Sequence, residues 1–245
     1  MQWDEENTIQ ESSERIKKLD SERIEIERKS GRVTPDIDEM RIGEAREFRL
    51  AVLHIDINGY KDLTNGMSNS KILRFLNTFL PEMTYIVRDY SGEVEKYVGD
   101  QVTAVFGMGE DAGLACKHAL ECALTMLTVI KYSINPIFNS INLPSFTCSV
   151  GIDYGDVWMA RIGINSNVRQ FTLVGNEVSI ASQLQKWANP NQILLGGSVF
   201  NNLETHHQNH CVLQTKPSDW GWTWYQGKPY PIYSHNAYWT GYPLK

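Results

Sequence analysis

Two aspartates stand where carboxylate and backbone groups are expected to converge. Asp56 ends an apolar run, Leu50 to Ile57, and is followed closely by Asn58-Gly59. Asp100 follows Gly99 between two short runs, at the tip of an expected tight turn. Two carboxylates suit Mg²⁺ or Mn²⁺, which also keep waters and bind substrate phosphates, so the pair is typical of phosphate-transfer chemistry. Each aspartate alone also fits a turn or capping residue.

A lysine lies just before this turn. Strand alternation over residues 93 to 98 predicts Lys96 on the same face as Val94 and Val98, and an ammonium group on an apolar face needs a partner. The alternative is that the side chain extends its charged end to the edge of the sheet. The pattern leaves both interpretations open.

Hydrophobic periodicity predicts the elements that position these residues. The run at 50–57 is typical of a central strand buried on both faces, and Gly99-Asp100 suits a type II′ hairpin turn. Helices and hairpins alternate, which predicts an α+β fold and not a doubly wound parallel sheet. The expected strands are 50–57, 93–98, 101–106, 146–153, 157–162 (paired around Tyr154-Gly155-Asp156), 170–174 and 193–195, and the expected helices are 70–90, 111–132, 178–187 and 198–203.

Composition narrows the classes of protein. The 245 residues include 23 Lys+Arg and 29 Asp+Glu, a net charge of −6, which disfavours DNA or RNA as a partner. No apolar run reaches the roughly 20 residues that cross a bilayer, so we expect no membrane span. The four cysteines are scattered and no export signal is evident, which indicates a cytoplasmic protein.

The first 48 residues differ from the rest. Charged residues dominate them, with Glu14 to Lys18 and Glu25 to Lys29 at the helical i, i+4 spacing. We therefore expect a charged helical extension over residues 1–48 and a separate catalytic domain over residues 49–245. The sparse apolar residues favour an exposed or loosely docked helix over a coiled coil.

Four motifs in order resemble the class III nucleotidyl cyclases over about Leu50 to Leu195. This resemblance implies a ferredoxin-like βαββαβ core. It also implies a homodimer in which one chain supplies metal carboxylates and its partner supplies base-recognition groups. The motifs are Asp56-Ile57-Asn58-Gly59-Tyr60, Gly92 to Gly107 with Lys96 and Gly99-Asp100, Gly151 to Val157, and Phe171 to Asn176.

The resemblance assigns the metal-binding groups. Asp56 and Asp100 match the metal aspartates, and the Ile57 carbonyl matches a further ligand. Two Mn²⁺ or Mg²⁺ ions per site are implied, one favouring the ionised ribose 3′-hydroxyl and the other the departing pyrophosphate. Backbone amides of residues 58–61 are expected to hold the terminal phosphates. Lys228 lies near the family's phosphate-binding lysine, although an exposed turn lysine explains it equally well.

Two positions depart from the family pattern. The helix after Gly175 carries Ser179 and Gln183 where purine cyclases place an Asn and an Arg. The positive charge at the second position is therefore missing, and an inactive nucleotide-binding or dimerisation module is an alternative. Arg161 or Arg169 is the hypothesised replacement.

The base-recognition positions bear on the substrate. Lys96 matches a purine-binding lysine, Thr172 replaces the Asp found in many adenylyl cyclases, and Tyr60 and Tyr97 are bulky enough to favour a smaller base. Together with the departures, these features resemble the pyrimidine cyclases of bacterial anti-phage defence, whose cyclic nucleotide is read by a separate effector. Lysine has donors and no acceptor, which favours UTP over CTP. Adenylyl cyclase is the alternative enzyme.

Two further clusters have simpler explanations. His206, His207 and His210 lie in a polar segment without zinc-ligand spacing, so we expect them to be exposed to solvent. The tryptophans between Trp220 and Trp224 alternate as in a strand and are expected in a core or a dimer contact.

Overall fold

The computed structural model describes residues 40–162, 171–215, 218, 220–224 and 227–235, and the backbone of residues 26–27. Most of the expected helical extension lies outside these ranges, so it stays a prediction. Within them, Ile26–Glu27 form a short strand, and the first long strand begins at Ala45 and not at Leu50.

Nine strands and seven α-helices form the described part of the chain. The strands are β1 Ile26–Glu27, β2 Ala45–Ile57, β3 Glu93–Val98, β4 Gln101–Phe106, β5 Cys148–Ala160, β6 Thr172–Val174, β7 Ile193–Gly196, β8 Cys211–Leu213 and β9 Ile232–His235. The helices are α1 Tyr60–Thr64, α2 Asn69–Asp89, α3 Ala112–Val129, α4 Asn135–Ser140, α5 Asn176–Trp187, α6 Gly197–Asn202 and α7 Thr205–Gln208; a π-turn, Ile130–Ile134, joins α3 to α4.

One mixed sheet carries the fold. Its order is β3-β4-β2-β5-β7-β9-β8, with β1 beside β2 and β6 beside β5. The first four strands in this order, with α2 and α3 between them in sequence, form the ferredoxin-like βαββαβ core, which confirms the expected fold class. The central pair, β2 and β5, is antiparallel from Ala45 opposite Ala160 to Ile57 opposite Cys148.

One expected hairpin is wrong. Tyr154, Gly155 and Asp156 do not form a turn but lie inside β5, because β2 is long enough to pair with all three. The two C-terminal strands, β8 and β9, were also not expected. They join the sheet through β7, whose residue Ile193 lies opposite His235.

The helix ends follow local capping chemistry. The Asp111 side chain accepts a hydrogen bond from the Leu114 backbone N–H at 2.9 Å and so begins α3. Helix α2 ends as the sequence predicts at Ser91-Gly92. Ser91 is left-handed with φ 58°, and the Gly92 N–H donates back to the Val87 carbonyl.

The two faces of the sheet are covered differently. Helices α2 and α3 bury the main core, which includes Phe75, Phe79 and Leu120, against one face. Helix α5 covers β5 and β2 on the other face. Gly151 permits this packing, since a Cβ there would lie 2.1 Å from the Ala181 carbonyl oxygen. The face that carries α5 also carries the side chain of Asp56, which has the same strand parity as the buried Val52.

One helical stretch, Ala112–Ser140, is long and apolar enough by composition to cross a membrane. Its most apolar window is 61% buried in the fold, against the sheet and α2. This burial is typical of the core helix of a globular domain.

Candidate active site

The two predicted metal aspartates lie at adjacent strand ends. Asp56 is the second-last residue of β2 and lies opposite Ser149 of β5. Asp100 occupies the second position of the β3–β4 turn, where Gly99 has φ 64° while Asp100 has an ordinary negative φ. This combination is that of the expected type II′ turn. Because β4 pairs directly with β2, the turn brings Asp100 to Asp56.

The two carboxyl groups lie close enough to affect each other's ionisation. Burial, and then the neighbouring Asp56 carboxylate, raise the pKa of Asp100 to about 7, and the backbone N–H groups of Asp100 and Ile57 oppose the rise in part. Oδ1 of Asp56 accepts a hydrogen bond from the Ile57 N–H at 3.1 Å. Oδ2 of Asp100 is buried and has no hydrogen-bond partner among the described residues.

This pair fits a divalent cation. Two like charges close together, one with an orphaned oxygen, are stabilised when a cation lies between them. Within the described ranges, no three His, Cys, Asp or Glu side chains converge as a complete metal cage. Mg²⁺ and Mn²⁺ need no such cage when waters and substrate phosphates complete the coordination. The Ile57 carbonyl as a third ligand stays a prediction.

The loop after Asp56 is held by a polar network that the sequence did not reveal. Asn58 donates from Nδ2 to Ser149 Oγ at 3.2 Å and accepts from Thr147 Oγ1 at 3.1 Å. Gln185 of α5 donates to the same Ser149 oxygen at 2.9 Å. These bonds tie the last turn of α5 to the loop that follows Asp56.

The expectation that Lys96 shares a face of the sheet with Val94 is wrong. A β-bulge between Val94 and Lys96 breaks the alternation, so Val94 packs toward the main core while Lys96 lies opposite Thr103 on the α5 face. The Lys96 ammonium lies 3.2 Å from Oε1 of Glu95, whose side chain is 5% exposed. Burial raises the pKa of Glu95, and the lysine opposes this rise.

A buried histidine beneath Lys96 was missed by sequence reasoning. His54 Nδ1 lies 3.0 Å from Thr103 Oγ1. Burial, and then the charge of Lys96, lower the pKa of His54 to about 4, so the imidazole is neutral at physiological pH. Its position inside an otherwise apolar strand was the available signal.

The structure separates the two predicted tyrosines. Tyr60 begins α1, with its ring centroid 6.3 Å from that of Phe75. Burial and the Asp100 carboxylate raise the pKa of Tyr60, so this tyrosine is near Asp100. The Tyr97 hydroxyl instead contacts Thr84 of α2, on the face of the sheet opposite to Lys96.

Thr172 lies at the opposite end of the sheet from Asp56. It pairs with Ala160, whereas Asp56 pairs with Ser149, eleven residues earlier in β5. At the rise of a β-strand this separation is roughly 35 Å. One chain therefore cannot bring Asp56 and Thr172 to the same nucleotide.

The two helix positions that depart from the family pattern also differ in their contacts. Ser179 is exposed on α5. Gln183 Oε1 accepts a hydrogen bond from the Trp222 indole N–H at 2.8 Å. The amide is thereby held by the C-terminal segment, a contact between residues 39 positions apart.

Arg161, one of the two hypothesised replacement cations, is hydrogen-bonded to a backbone carbonyl. Arg161 is 8% exposed and donates from Nη1 to the Met40 carbonyl at 2.6 Å. This bond supports a structural role for Arg161, since it ties the segment before β2 to the end of β5. Arg169 lies outside the described residues, and its role stays a prediction.

Of the two predictions for the C-terminal residues, the role of Lys228 stays untested and the packing of the tryptophans is confirmed. Lys228 is exposed, and its carbonyl accepts from the Trp224 N–H, so its phosphate-binding role stays a prediction. The expected packing of the tryptophans in a core is confirmed: Trp220, Trp222 and Trp224 pack on the cluster around α5 and Tyr230. They form no strand of their own beyond a single bridge from Thr223 to Pro229.

The histidine segment is partly different from the expectation. His206 and His210 are exposed as expected, but His207 is 4% exposed and lies 3.3 Å from Glu121. The reason is that α7 packs His207 beside His235 of β9, a strand that the sequence did not indicate.

Comparisons with known sequences show the family and several relatives of this chain. Residues 44–218 match the family described as "Adenylate and Guanylate cyclase catalytic domain". An adenylate cyclase from Anabaena cylindrica is 30% identical over 68% of this chain and 33% of its own length. A cytidylate cyclase from Staphylococcus aureus is 26% identical over 80% of this chain and 47% of its length, and a uridylate cyclase from Burkholderia cepacia is 26% identical over 77% and 88%. The chain thus spans less than half the length of the first two relatives.

Solved structures share the fold. The adenylyl cyclase CyaB from P. aeruginosa superposes with a TM-score of 0.66 at 22% identity, covering 78% of this chain and 95% of that one. The guanylyl cyclase Cya2 gives a TM-score of 0.66 at 17% identity, covering 77% and 91%. With the family match over most of the described residues, these findings establish that the chain belongs to the adenylate and guanylate cyclase catalytic domain family, the class III nucleotidyl cyclases.

Proposed function

We propose that this chain converts a pyrimidine nucleoside triphosphate, UTP in preference to CTP, into the 3′,5′-cyclic monophosphate and pyrophosphate. The observation that carries the proposal is the proximity of the Asp56 and Asp100 carboxyl groups, with an orphaned oxygen on Asp100. Such a pair at two strand ends suits metal-assisted phosphoryl transfer.

The reaction is an intramolecular displacement. The ribose 3′-oxygen loses its proton to solvent water and bonds to the α-phosphorus, and the bond from that phosphorus to the oxygen bridging to the β-phosphate breaks, so that pyrophosphate leaves. Bound Mn²⁺ or Mg²⁺ would supply charge neutralisation and favour the ionised hydroxyl. Asp56 and Asp100 would hold the ions, and the loop braced by Asn58 would bind the terminal phosphates.

A homodimer is part of the proposal. Asp56 pairs with Ser149 near the start of β5, whereas Thr172 pairs with Ala160 at the end of β5. A site that uses both Asp56 and Thr172 therefore needs a second copy of the chain. An antiparallel pair of subunits would bring the metal carboxylates of one copy to the base-recognition residues of the other.

Hydrogen-bonding chemistry supports uracil as the base. Lys96 offers donors only, and its ammonium lies 3.2 Å from Oε1 of the buried Glu95. Oε2 of Glu95 has no partner among the described residues and is the one acceptor beside Lys96, so the preference for uracil rests on the donors of Lys96. Uracil presents two carbonyl acceptors, whereas cytosine presents an amino group that needs an acceptor. The relatives named uridylate and cytidylate cyclase support the pyrimidine class, and the relative named adenylate cyclase supports ATP as the second candidate.

The wider role follows from the product. A cyclic pyrimidine nucleotide would act as an antiviral second messenger, made in the cytoplasm and read by a separate effector. Nucleic acid and membrane are not expected as partners.

The test is incubation of the purified chain with each of the four α-labelled ribonucleoside triphosphates and Mn²⁺, followed by separation of products. We expect cyclic UMP and pyrophosphate, lost in Asp56→Ala. Cyclic AMP would establish the adenylyl alternative. No turnover of any nucleotide would favour the inactive nucleotide-binding or dimerisation module.

A further inference from the structure

The last turn of α5 lies over the end of the sheet that carries Asp56. A Cβ at Gly151 would lie 2.3 Å from the Gln185 backbone nitrogen, so the helix touches β5 directly at this point. The Gln185 side chain donates to Ser149 Oγ at 2.9 Å, and Ser149 lies opposite Asp56 in the β2–β5 ladder. Whatever projects sideways from this turn is therefore close to the Asp56 end of β2.

The orientation of α5 about its own axis determines the direction of Lys186, the residue that follows Gln185. Ile180, Leu184 and Ala188 pack toward β7 and the C-terminal strands, while Ala181 and Gln185 rest on β5. At 100° per residue, Lys186 falls on the opposite side from the β7-facing row. Because β2 is the other neighbour of β5, Lys186 projects toward β2.

The same side of the sheet carries Lys96. Lys96 pairs with Thr103 of β4, and Thr103 contacts His54 of β2, which lies opposite Gly151 beneath α5. Lys186, at the end of α5, therefore projects over the side of the sheet that carries Lys96 and Asp56.

Lys186 is exposed, and in the described part of the chain it has no ion-pair partner. A lysine in the last turn of a helix interacts favourably with the helix dipole, which would explain an effect on stability alone. That explanation does not account for its direction toward an anion-binding site.

The reaction itself requires positive charge on this side. Negative charge builds up on the phosphate oxygens and the departing pyrophosphate, and fixed cations that face them lower the barrier. Gln183 is neutral and held by Trp222, and Arg161 is bound to Met40. We propose that Lys186 is a catalytic residue whose ammonium group contacts the substrate's triphosphate beside Asp56 and Asp100. This inference rests on the proposed function.

The direct test compares Lys186→Ala, the charge-preserving Lys186→Arg and a control, Lys71→Ala, an exposed lysine on α2 beyond the opposite face of the sheet. We expect kcat/KM to fall about a hundredfold in Lys186→Ala, to stay within about tenfold in Lys186→Arg, and to be unchanged in Lys71→Ala. Calorimetric titration with Mn²⁺ and pyrophosphate needs no turnover, and the affinity should fall about tenfold in Lys186→Ala alone.

A second variant separates charge from packing. Gln183 lies one turn before Lys186 on the outer side of α5, so Gln183→Arg added to Lys186→Ala returns a cation to this surface. We expect at least about a tenfold recovery of kcat/KM, with melting temperatures checked for all variants. No recovery in a folded double variant would contradict the need for a cation.

Failure of the proposed role of Lys186 and failure of the proposed cyclase function would give different results. Wild-type turnover and pyrophosphate affinity retained in Lys186→Ala would overturn the role of Lys186 and leave the cyclase proposal intact, as would a loss of melting temperature alone. If the wild type turns over none of the four nucleotides, the proposed function fails, and the pyrophosphate titration still decides whether Lys186 binds phosphate.

Discussion

The carboxyl groups of Asp56 and Asp100 lie close enough to affect each other's ionisation although they belong to different strand ends. Burial, and then the neighbouring Asp56 carboxylate, raise the pKa of Asp100 to about 7. The arrangement opposes stability in the free protein and becomes favourable when a cation is bound between the two groups.

This relationship predicts opposite effects on stability and activity. Asp56→Asn removes one of the two like charges, so we expect an unchanged or slightly raised melting temperature. The same change removes a metal ligand, so Mn²⁺-dependent turnover should fall at least about a hundredfold. Differential scanning calorimetry and a pyrophosphate-release assay on one preparation check both effects. A destabilised variant with normal turnover would contradict this account of the pair.

A buried histidine predicts acid sensitivity. Both ring nitrogens of His235 are buried without a partner among the described residues, and burial, then His207 and His210, lower its pKa to about 4. Between pH 6.5 and 4 the unfolded chain takes up a proton that the folded chain does not, so stability is lost as the pH falls through this range.

His235→Phe removes that proton uptake. We expect the variant to gain about 1–2 kcal/mol relative to the wild type between pH 8 and pH 5, measured by urea unfolding at each pH. An equal difference at both pH values would show that His235 titrates normally in the folded protein.

The buried carboxyl group of Asp153 predicts that stability falls as the pH rises, which is opposite to the effect of His235. This carboxyl group is fully buried and accepts a hydrogen bond from the Tyr230 hydroxyl at 2.6 Å, and burial raises its pKa to about 8. The unfolded chain ionises from about pH 4, so the stabilising contribution is complete below that pH and is lost as the pH rises to about 8. In Asp153→Asn, stability relative to the wild type should therefore increase from pH 5 to pH 8, as followed by thermal unfolding.

The contact between α5 and the sheet predicts a severe effect at Gly151. A methyl group there would meet backbone atoms of Ala181 and Gln185, which cannot rotate away. We expect Gly151→Ala to cost about 3 kcal/mol or to displace α5, with loss of turnover. Gly221→Ala is the control, because a Cβ at Gly221 meets nothing within 4 Å. Similar unfolding midpoints for the two variants would contradict this packing.

The sequence predicts the parts of the candidate site that depend on neighbouring residues, and it does not predict the parts that depend on contacts between residues far apart in the sequence. The positions of Asp56 at a strand end and of Asp100 in a glycine turn were predicted because both are local patterns, and their role as metal ligands stays a prediction. The facing of Lys96 depends on a bulge, which only the partner strand β4 reveals. The burial of His207 and the Trp222–Gln183 bond depend on C-terminal segments that return to the sheet and to α5, and no local periodicity indicates that return.

We expect Asp56 and Asp100 of one chain to act together with the base-recognition residues of a second copy. Mixing Asp56→Ala, which keeps Lys96 and Thr172, with a Lys96→Ala/Thr172→Ala double variant tests it directly by Mn²⁺-dependent cyclic nucleotide formation. Each variant alone should be inactive, and the mixture should recover about a quarter of wild-type activity, because half of the dimers are mixed and each holds one intact site. A mixture that exchanges subunits yet stays as inactive as its components would contradict a shared site.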